Sequence, residues 1–409
     1  MAEPAAYDPF DEFNRAQGMG RVRDPYPYFA ELRRKGPVHR VPVQRLVGDH
    51  PRPPTMPDHV YMVVGHDAVA QVLLDGATFS SRVYAGTMGV VMGRTILEMD
   101  EPEHARFRGL LQKAFTKRAL DRWERELVRP VVHALVDRFA ERGRADLVRE
   151  LTFPFPVSVI AGMIGLDERD HAEFHRLAVE LISIAIDPLR GLRASQSLRE
   201  LFARVLAERR REPRDDLMSV LAHAELDGTR LEDEAIYAFL RLLAPAGAET
   251  TYRSSSNLLF GLLSHPEQLA AVRADRALLP QAIEEGLRWE APLTSIMRTA
   301  TRDVVLGGVR IPRDAIISVN LAAANRDETR YERPDAFDIQ RPQKPHLAFA
   351  FGAHRCLGMH LARMETAVAL NALLERLPNL RLDPDAADVH VTGLTFRSPI
   401  ALPVVFDPA

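Results

Sequence analysis

The sequence predicts a mainly α-helical protein with a small β part, built around one long central helix. Three observations carry this. Between about residues 100 and 290, apolar residues recur at helical spacing, with Gly, Pro or Asp punctuating the runs. The longest run, Glu232 to Leu263, is about 45 Å long at 1.5 Å per residue, enough to cross the molecule through its middle. Short β-prone runs are confined to about 37–65, 293–320 and 380–406. With a second helical portion at about 357–378 and no repeat, low-complexity tract or Gly/Ser linker, residues 1–409 read as one domain.

The elements follow in order. Pro25 to Lys35 carries Tyr28, Phe29 and Leu32 at helical spacing, and Gly36-Pro37 ends it. Val38 to Val43 and Val60 to Val64 are β-prone and can pair across a proline-rich loop at 50–60. Helices are expected at 101–115, 119–141, 156–165, 168–186, 193–211 and 215–223, then over 232–263, where His265-Pro266 imposes a stop and a new start. A helix at 279–289, strands near 304–311 and 316–320, a coil-rich stretch at 325–345 and a helix at 357–377 complete the chain.

Composition narrows the function. Hydrophobic residues make up 46% and charged residues 27%, with a net charge of -3, so the chain has material for a large core and no cationic excess for nucleic acid. One cysteine, Cys356, excludes an intramolecular disulfide, and the spaced Cys/His clusters of zinc or iron-sulfur sites are absent. The opening MAEPAAYDPFDEFN lacks the basic start and apolar stretch of a signal or anchor, and runs such as Val157 to Leu166 are too short to span a bilayer. A cytoplasmic protein without membrane or nucleic-acid partners is expected.

The informative segment is Phe349-Ala-Phe-Gly-Ala-His-Arg-Cys-Leu-Gly358. A lone cysteine is usually a buried small hydrophobe. Here it lies just before an amphipathic helix, whose free N–H groups and dipole are expected to lower the thiol pKa and favour a metal-binding thiolate. Gly352 and Gly358 remove Cβ atoms on either side, which would let a flat ligand approach the backbone.

Phe349, Gly352, His354, Cys356 and Gly358 resemble the haem-binding signature of the cytochrome P-450 family. The resemblance implies the cytochrome P-450 fold with the long helix over haem b (iron protoporphyrin IX). Cys356 is then the axial thiolate, whose electron donation assists O–O cleavage, and His354 bonds a propionate. Further motifs agree. Glu285-Gly-Leu-Arg288 matches the family's Glu-x-x-Arg; its i,i+3 spacing alone would suit an exposed salt bridge, but the resemblance implies a buried structural pair. Arg341 is the chosen third member, with Arg333 as competitor. Ala246-Gly247-Ala-Glu249-Thr250-Thr251 resembles the oxygen-activation motif, which implies that Ala246 and Gly247 border the haem, Thr250 donates to bound oxygen and Glu249 relays protons. Pro245 should kink this helix and open a groove. Two plainer readings stay open: Glu249 as a solvated helix charge, and Thr250 bonded back to the Ala246 carbonyl. In Glu103-His104-Ala-Arg-Phe-Arg108 the residues four apart share a helical face, so His104 and Arg108, with Arg298 and His354, are implied to clamp two propionates. Arg106 lies off that face.

The implied activity is a haem-thiolate monooxygenase that inserts one oxygen atom of O2 into a hydrophobic small organic substrate by C–H hydroxylation or epoxidation. No glycine-rich dinucleotide fingerprint follows a strand, and the length leaves no room for a fused reductase, so electrons are expected from a separate ferredoxin and ferredoxin reductase. Arg355, Arg363, Lys113 and Lys117 are either a docking face for such an acidic partner or ordinary solvated charges. Val90, Val91, Leu293, Ile296 and Phe396 are the expected apolar substrate contacts. Arg397 is either a carboxylate anchor or a surface arginine at a hairpin end. Two rivals remain, a haem sensor or carrier and a partner-independent enzyme using peroxide or catalysing isomerisation or dehydration. The Glu249–Thr250 pair argues against both.

Overall fold

The structure, a computed structural model, describes residues 11, 14, 19–47, 56–182, 187–226 and 228–408. Most of the proline-rich loop and the last turn expected of the 168–186 helix lie outside the described residues. The central helix runs Asp233–Leu263 and stays helical through Pro245, so the expected kink does not interrupt it. Its second half is unusual in composition: Thr251, Arg253, Ser254, Ser255, Ser256 and Asn257 are all buried. A buried polar group must find a partner. Ser256 Oγ donates to Tyr252 O at 2.8 Å, Asn257 Nδ2 donates to the Glu290 and Arg397 carbonyls at 3.0 Å each, and Ser255 pairs with Thr366 at 3.1 Å. Polar side chains thereby tie this helix to the Leu279–Trp289 helix, to the Ser398–Pro399 strand and to the Met359–Arg376 helix.

The helices expected from 101 onward appear close to their sequence bounds. The 119–141 helix is Lys117–Trp123 and Arg129–Asp137 joined by a wide turn at Glu124–Val128. Pro130 explains the turn, because it has no N–H for the carbonyl four residues back and its ring pushes that carbonyl aside. The helix His66–Leu74 was not anticipated.

The principal sheet contains β1 (Val38–Pro42), β2 (His59–Val63), β3 (Phe79–Ser80), β4 (Ser295–Ala300) and β5 (Ile316–Asn320), in the order β1-β2-β5-β4-β3. β1 and β2 pair antiparallel across the proline loop, β5 runs parallel to β2, and β4 is antiparallel to both β5 and β3. The 304–311 stretch forms a separate hairpin, Val304–Leu306 with Val309–Ile311. Near the end of the chain, Pro403–Val405 pairs with Arg381–Leu382 and with Arg144–Asp146, and Val391–Thr392 pairs with Ser398–Pro399. Among the described residues no helix is long and apolar enough to cross a membrane.

Candidate active site around Cys356

The Cys356 loop is set by backbone geometry. Cys356 N–H donates to Phe349 O at 2.9 Å, Arg355 N–H to Gly352 O at 3.1 Å and Ala350 N–H to Leu347 O at 2.9 Å. The tight turn this requires places Ala350 and Gly352 at φ of 56° and 74°. Gly352 is needed for a further reason: a Cβ there would lie 2.4 Å from the Leu73 carbonyl oxygen. The glycine therefore seats the loop on the end of His66–Leu74, which replaces the expectation that it clears space for a ligand. Gly358, by contrast, has open space where a Cβ would stand, and it caps the Met359–Arg376 helix.

Part of Cys356 is exposed, while the protein packed around its sulfur removes water and pushes the thiol up from the ordinary value, against the Gly358 N–H and the charges of Arg108, Arg363 and Arg355. The expected lowering by the helix terminus is thus outweighed, since the sulfur sits three residues before the helix starts. A bound metal cation deprotonates a coordinating thiol outright, which compensates this cost.

Beside the cysteine, four basic side chains converge from three elements. His104 and Arg108 come from the Glu103–Gln112 helix, Arg298 from β4 and His354 from the loop itself. The His104 and His354 rings lie 3.9 Å apart between centroids, and Arg108 reaches the Arg355 carbonyl. Burial, then the charges of His104, Arg298 and Arg108, hold His354 down to about 3, so it is neutral. His104 Nδ1 is 3.0 Å from Glu101 Oε1, while its buried Nε2 has no hydrogen-bond partner. Such a donor set, short of negative charge and with a buried ring nitrogen left over, fits an anionic group with two carboxylates, as haem has. Sequence reasoning missed three neighbours of this cluster. Ser81 Oγ is 3.2 Å from His354 Nε2, Asp100 accepts from Ser80 and Ser81, and the Tyr84 oxygen accepts the Met297 N–H at 2.9 Å beside Arg298. No local pattern marks them, because they meet the cluster only through the fold.

On the central helix, Ala246 is exposed although most of its neighbours along the helix are buried. Thr250 Oγ1 donates to Ala246 O at 2.8 Å, the plainer of its two readings. At Gly247 a Cβ would lie 2.6 Å from Ile160 Cδ1, so its lack of a side chain allows close packing on the Pro154–Ile164 helix. Glu249 is not a solvated charge. It is buried and bonds Arg253, with Arg253 Nε 2.6 Å from Glu249 Oε1, and burial raises its pKa while Arg253 pulls it back. Arg253 was missed, although its i+4 spacing from Glu249 stands in the sequence.

Of the expected substrate residues, Leu293 and Phe396 are bridged to each other, and with Ile296 they are half-buried. Val90 is 64% exposed, whereas Val91 is buried in the helical core and its carbonyl accepts the Ser195 hydroxyl, so Val91 is corrected from substrate contact to core residue. Arg397 fits neither of its expected readings. It is 1% exposed, and its Nε lies 2.6 Å from Glu290 Oε1, which also accepts the Tyr26 hydroxyl at 2.6 Å. An arginine already paired in the interior has no charge to offer a substrate.

Glu285 accepts from Arg288 at 2.7 and 2.8 Å and from Arg341 at 3.4 Å. Arg288 and Arg341 spend their remaining donors on the carbonyls of Pro334, Ala336 and Arg333, whereas the Arg333 side chain is exposed toward Asp338. Arg363 is held by Glu284 at 2.6 and 2.7 Å, so it is not a free docking charge; burial would raise Glu284, but Arg363 and His346 bring it down to about 2. Lys113, Lys117 and Arg355 are exposed.

This fold, with its long central helix, its thiol loop and its cationic cluster, defines a haem-thiolate oxidoreductase. The cytochrome P-450 family profile matches residues 28–385, and the chain belongs to that family. It is a monooxygenase-type oxidoreductase whose cofactor is haem b, bound in this family through a cysteine thiolate. Cytochrome P-450 monooxygenase PikC of Streptomyces venezuelae is 38% identical over 403 residues, 95% of this chain and 92% of that protein. Cytochrome P-450 CYP109Q5 of Chondromyces apiculatus superposes with a TM-score of 0.86 at 37% identity, covering 96% of this chain and 98% of that one. CYP109E1 of Bacillus megaterium, solved in complex with testosterone, superposes with a TM-score of 0.83 at 29% identity, covering 93% and 99%.

Proposed function

We propose that the protein inserts one oxygen atom of O2 into a hydrophobic small organic substrate, by C–H hydroxylation or epoxidation, with electrons from a separate ferredoxin and ferredoxin reductase. The observation that carries this reading is the convergence of Cys356 with His104, Arg108, Arg298 and His354 at one place. Bound haem supplies iron that activates dioxygen with electrons delivered one at a time. Cys356 would hold the iron of bound haem, with Phe349 bracing the loop through its carbonyl. His104, Arg108, Arg298 and His354 bind and orient the propionates by charge and hydrogen bonding. With haem bound, Thr250 would release its bond to Ala246 O and donate its hydroxyl proton toward the oxygen side, and Glu249 would handle the proton behind it. Leu293, Ile296, Phe396 and the exposed Val90 exclude water around an apolar substrate, in keeping with the steroid bound by the CYP109E1 neighbour. Lys113, Lys117 and Arg355 offer the acidic electron donor its basic face.

The test is the difference spectrum of the dithionite-reduced protein with carbon monoxide. A Soret band near ~450 nm is expected for thiolate ligation. A band near ~420 nm from intact protein would overturn the reading in favour of a haem carrier or sensor.

A further inference from the structure

Glu249 is the acid next to Thr250 in the chain, and its surroundings are set by contacts from several elements. Its carboxylate is buried and, among the described residues, meets one cation, Arg253, one turn further along the same helix. Arg253 is itself 0% exposed and has all of its reach occupied. Nε bonds Glu249, Nη1 bonds Ser398 Oγ at 2.9 Å and lies 3.6 Å from Met19 Sδ, and Nη2 bonds Asn14 Oδ1 at 2.9 Å. The guanidinium also lies 4.7 Å from the Tyr252 ring centroid and 5.5 Å from that of Phe396. Contacts from Asn14, Met19, Ser398 and Phe396, none of them on the central helix, thus fix where this charge stands.

We infer that Arg253 is the positioning residue of the proton-handling pair: anchored by Asn14 and Ser398, it fixes the direction of Glu249 and keeps that buried acid able to give up and regain its proton. The inference rests on the proposed proton role of Glu249 and adds the residue that makes it workable. Burial alone would leave a carboxyl permanently protonated, which can donate once but cannot recycle, whereas a cation at hydrogen-bond distance stabilises the ionised form. Among the described residues, the titratable groups facing Glu249 are Arg253 and the Tyr252 phenol; Tyr252 titrates far above neutrality, so it stays neutral while Glu249 changes charge. Among the described residues, the cleft around Glu249 is otherwise lined by Phe153, Val157, Ala178, Val179, Ala244 and Pro245, all apolar.

Infrared difference spectroscopy on the haem-loaded full-length protein reads this directly. The wild type minus Glu249→Gln difference isolates the Glu249 carboxyl, which is expected to ionise at a pH above that of a free side chain and to be reversible. The same difference taken in an Arg253→Gln background is expected to show the protonated acid persisting through the neutral range, because the stabilising cation is gone. Arg253→Lys should return the ionised form, which a role limited to packing would not require. Identical titrations in all three backgrounds would overturn the inference. If Arg253→Gln does not accumulate as folded protein, the wild-type difference still decides: a carboxyl that stays protonated through neutral pH, or one that titrates like a free acid, contradicts a tuned Glu249. Failure of the carbon monoxide test strikes the haem-thiolate reading instead, since the infrared result concerns only the Glu249 charge.

Discussion

Two buried clusters of charge lie on opposite terms with the protein around them. Glu285, Arg288 and Arg341 form a closed set, in which a carboxylate faces two guanidinium groups and the leftover donors end on backbone carbonyls. His104, Arg108, Arg298 and His354 form an open set: like charges face one another, a buried ring nitrogen is unbonded, and one histidine is forced neutral. The first cluster is complete without help and therefore holds the fold; the second is suited to something brought from outside. Internal satisfaction, more than burial or residue type, separates a structural charge from a binding one.

The contrast can be broken most forcefully at Arg288. Arg288→Ala leaves the buried Glu285 carboxylate with the longer Arg341 contact as its remaining charge partner, beside the Asp338 N–H at 2.9 Å, so the loss should reach about 3–5 kcal/mol, read as a fall in the denaturation midpoint or as absence of folded protein. Arg298→Met should behave in the reverse sense. In haem-free protein, removing one of several crowded cations should leave the midpoint unchanged or raised, while transfer of haem to apomyoglobin quickens by the factor that about 1.5–3 kcal/mol implies, the worth of a hydrogen bond to a charged group. An equal loss of stability at both sites would erase the distinction.

Glu365 offers a third arrangement, a buried acid with no cation against it among the described residues. It touches Thr251, and burial raises its pKa well above the usual carboxylate value, with Thr251 opposing only in part. The folded state therefore keeps a proton that the unfolded chain releases. That contribution to stability is full below the unfolded pKa, near about 4.3, and declines as pH rises above it, by about 1.4 kcal/mol per unit of separation. Glu365→Gln should flatten the fall in stability between acid and neutral pH, measured by denaturant titration across that range; an unchanged slope would mean the carboxyl is ionised in the folded protein. The smallest effect belongs to the surface: Asp388→Asn breaks an exposed pair with Arg23 and should barely move the denaturation midpoint, with no difference left at high salt.

What could be read in the sequence was what repeats locally. The Asp233–Leu263 helix, the β1–β2 pair and the Phe349 to Gly358 loop are each written in neighbouring residues, as period, punctuation or motif. What could not be read depends on partners far away in the chain. Arg397 looks like a surface residue until Glu290, 107 positions earlier, is placed against it, and Asn14 reaches Arg253 across 239 positions. The two glycines show the same limit. Gly247 and Gly352 were recognisable as constrained, but Ile160 and the Leu73 carbonyl, which impose the constraint, could be found only in three dimensions.

The contact between Gly352 and the Leu73 carbonyl also matters for engineering. Because the loop carrying the sulfur is seated on the last turn of His66–Leu74, residues 66–74 act as a distant adjustment screw for the cysteine. A library that varies that helix, with every residue of the loop and the pocket left as it is, should yield proteins that differ in Soret position and reduction potential. Position 352 itself should tolerate almost no replacement in the same selection.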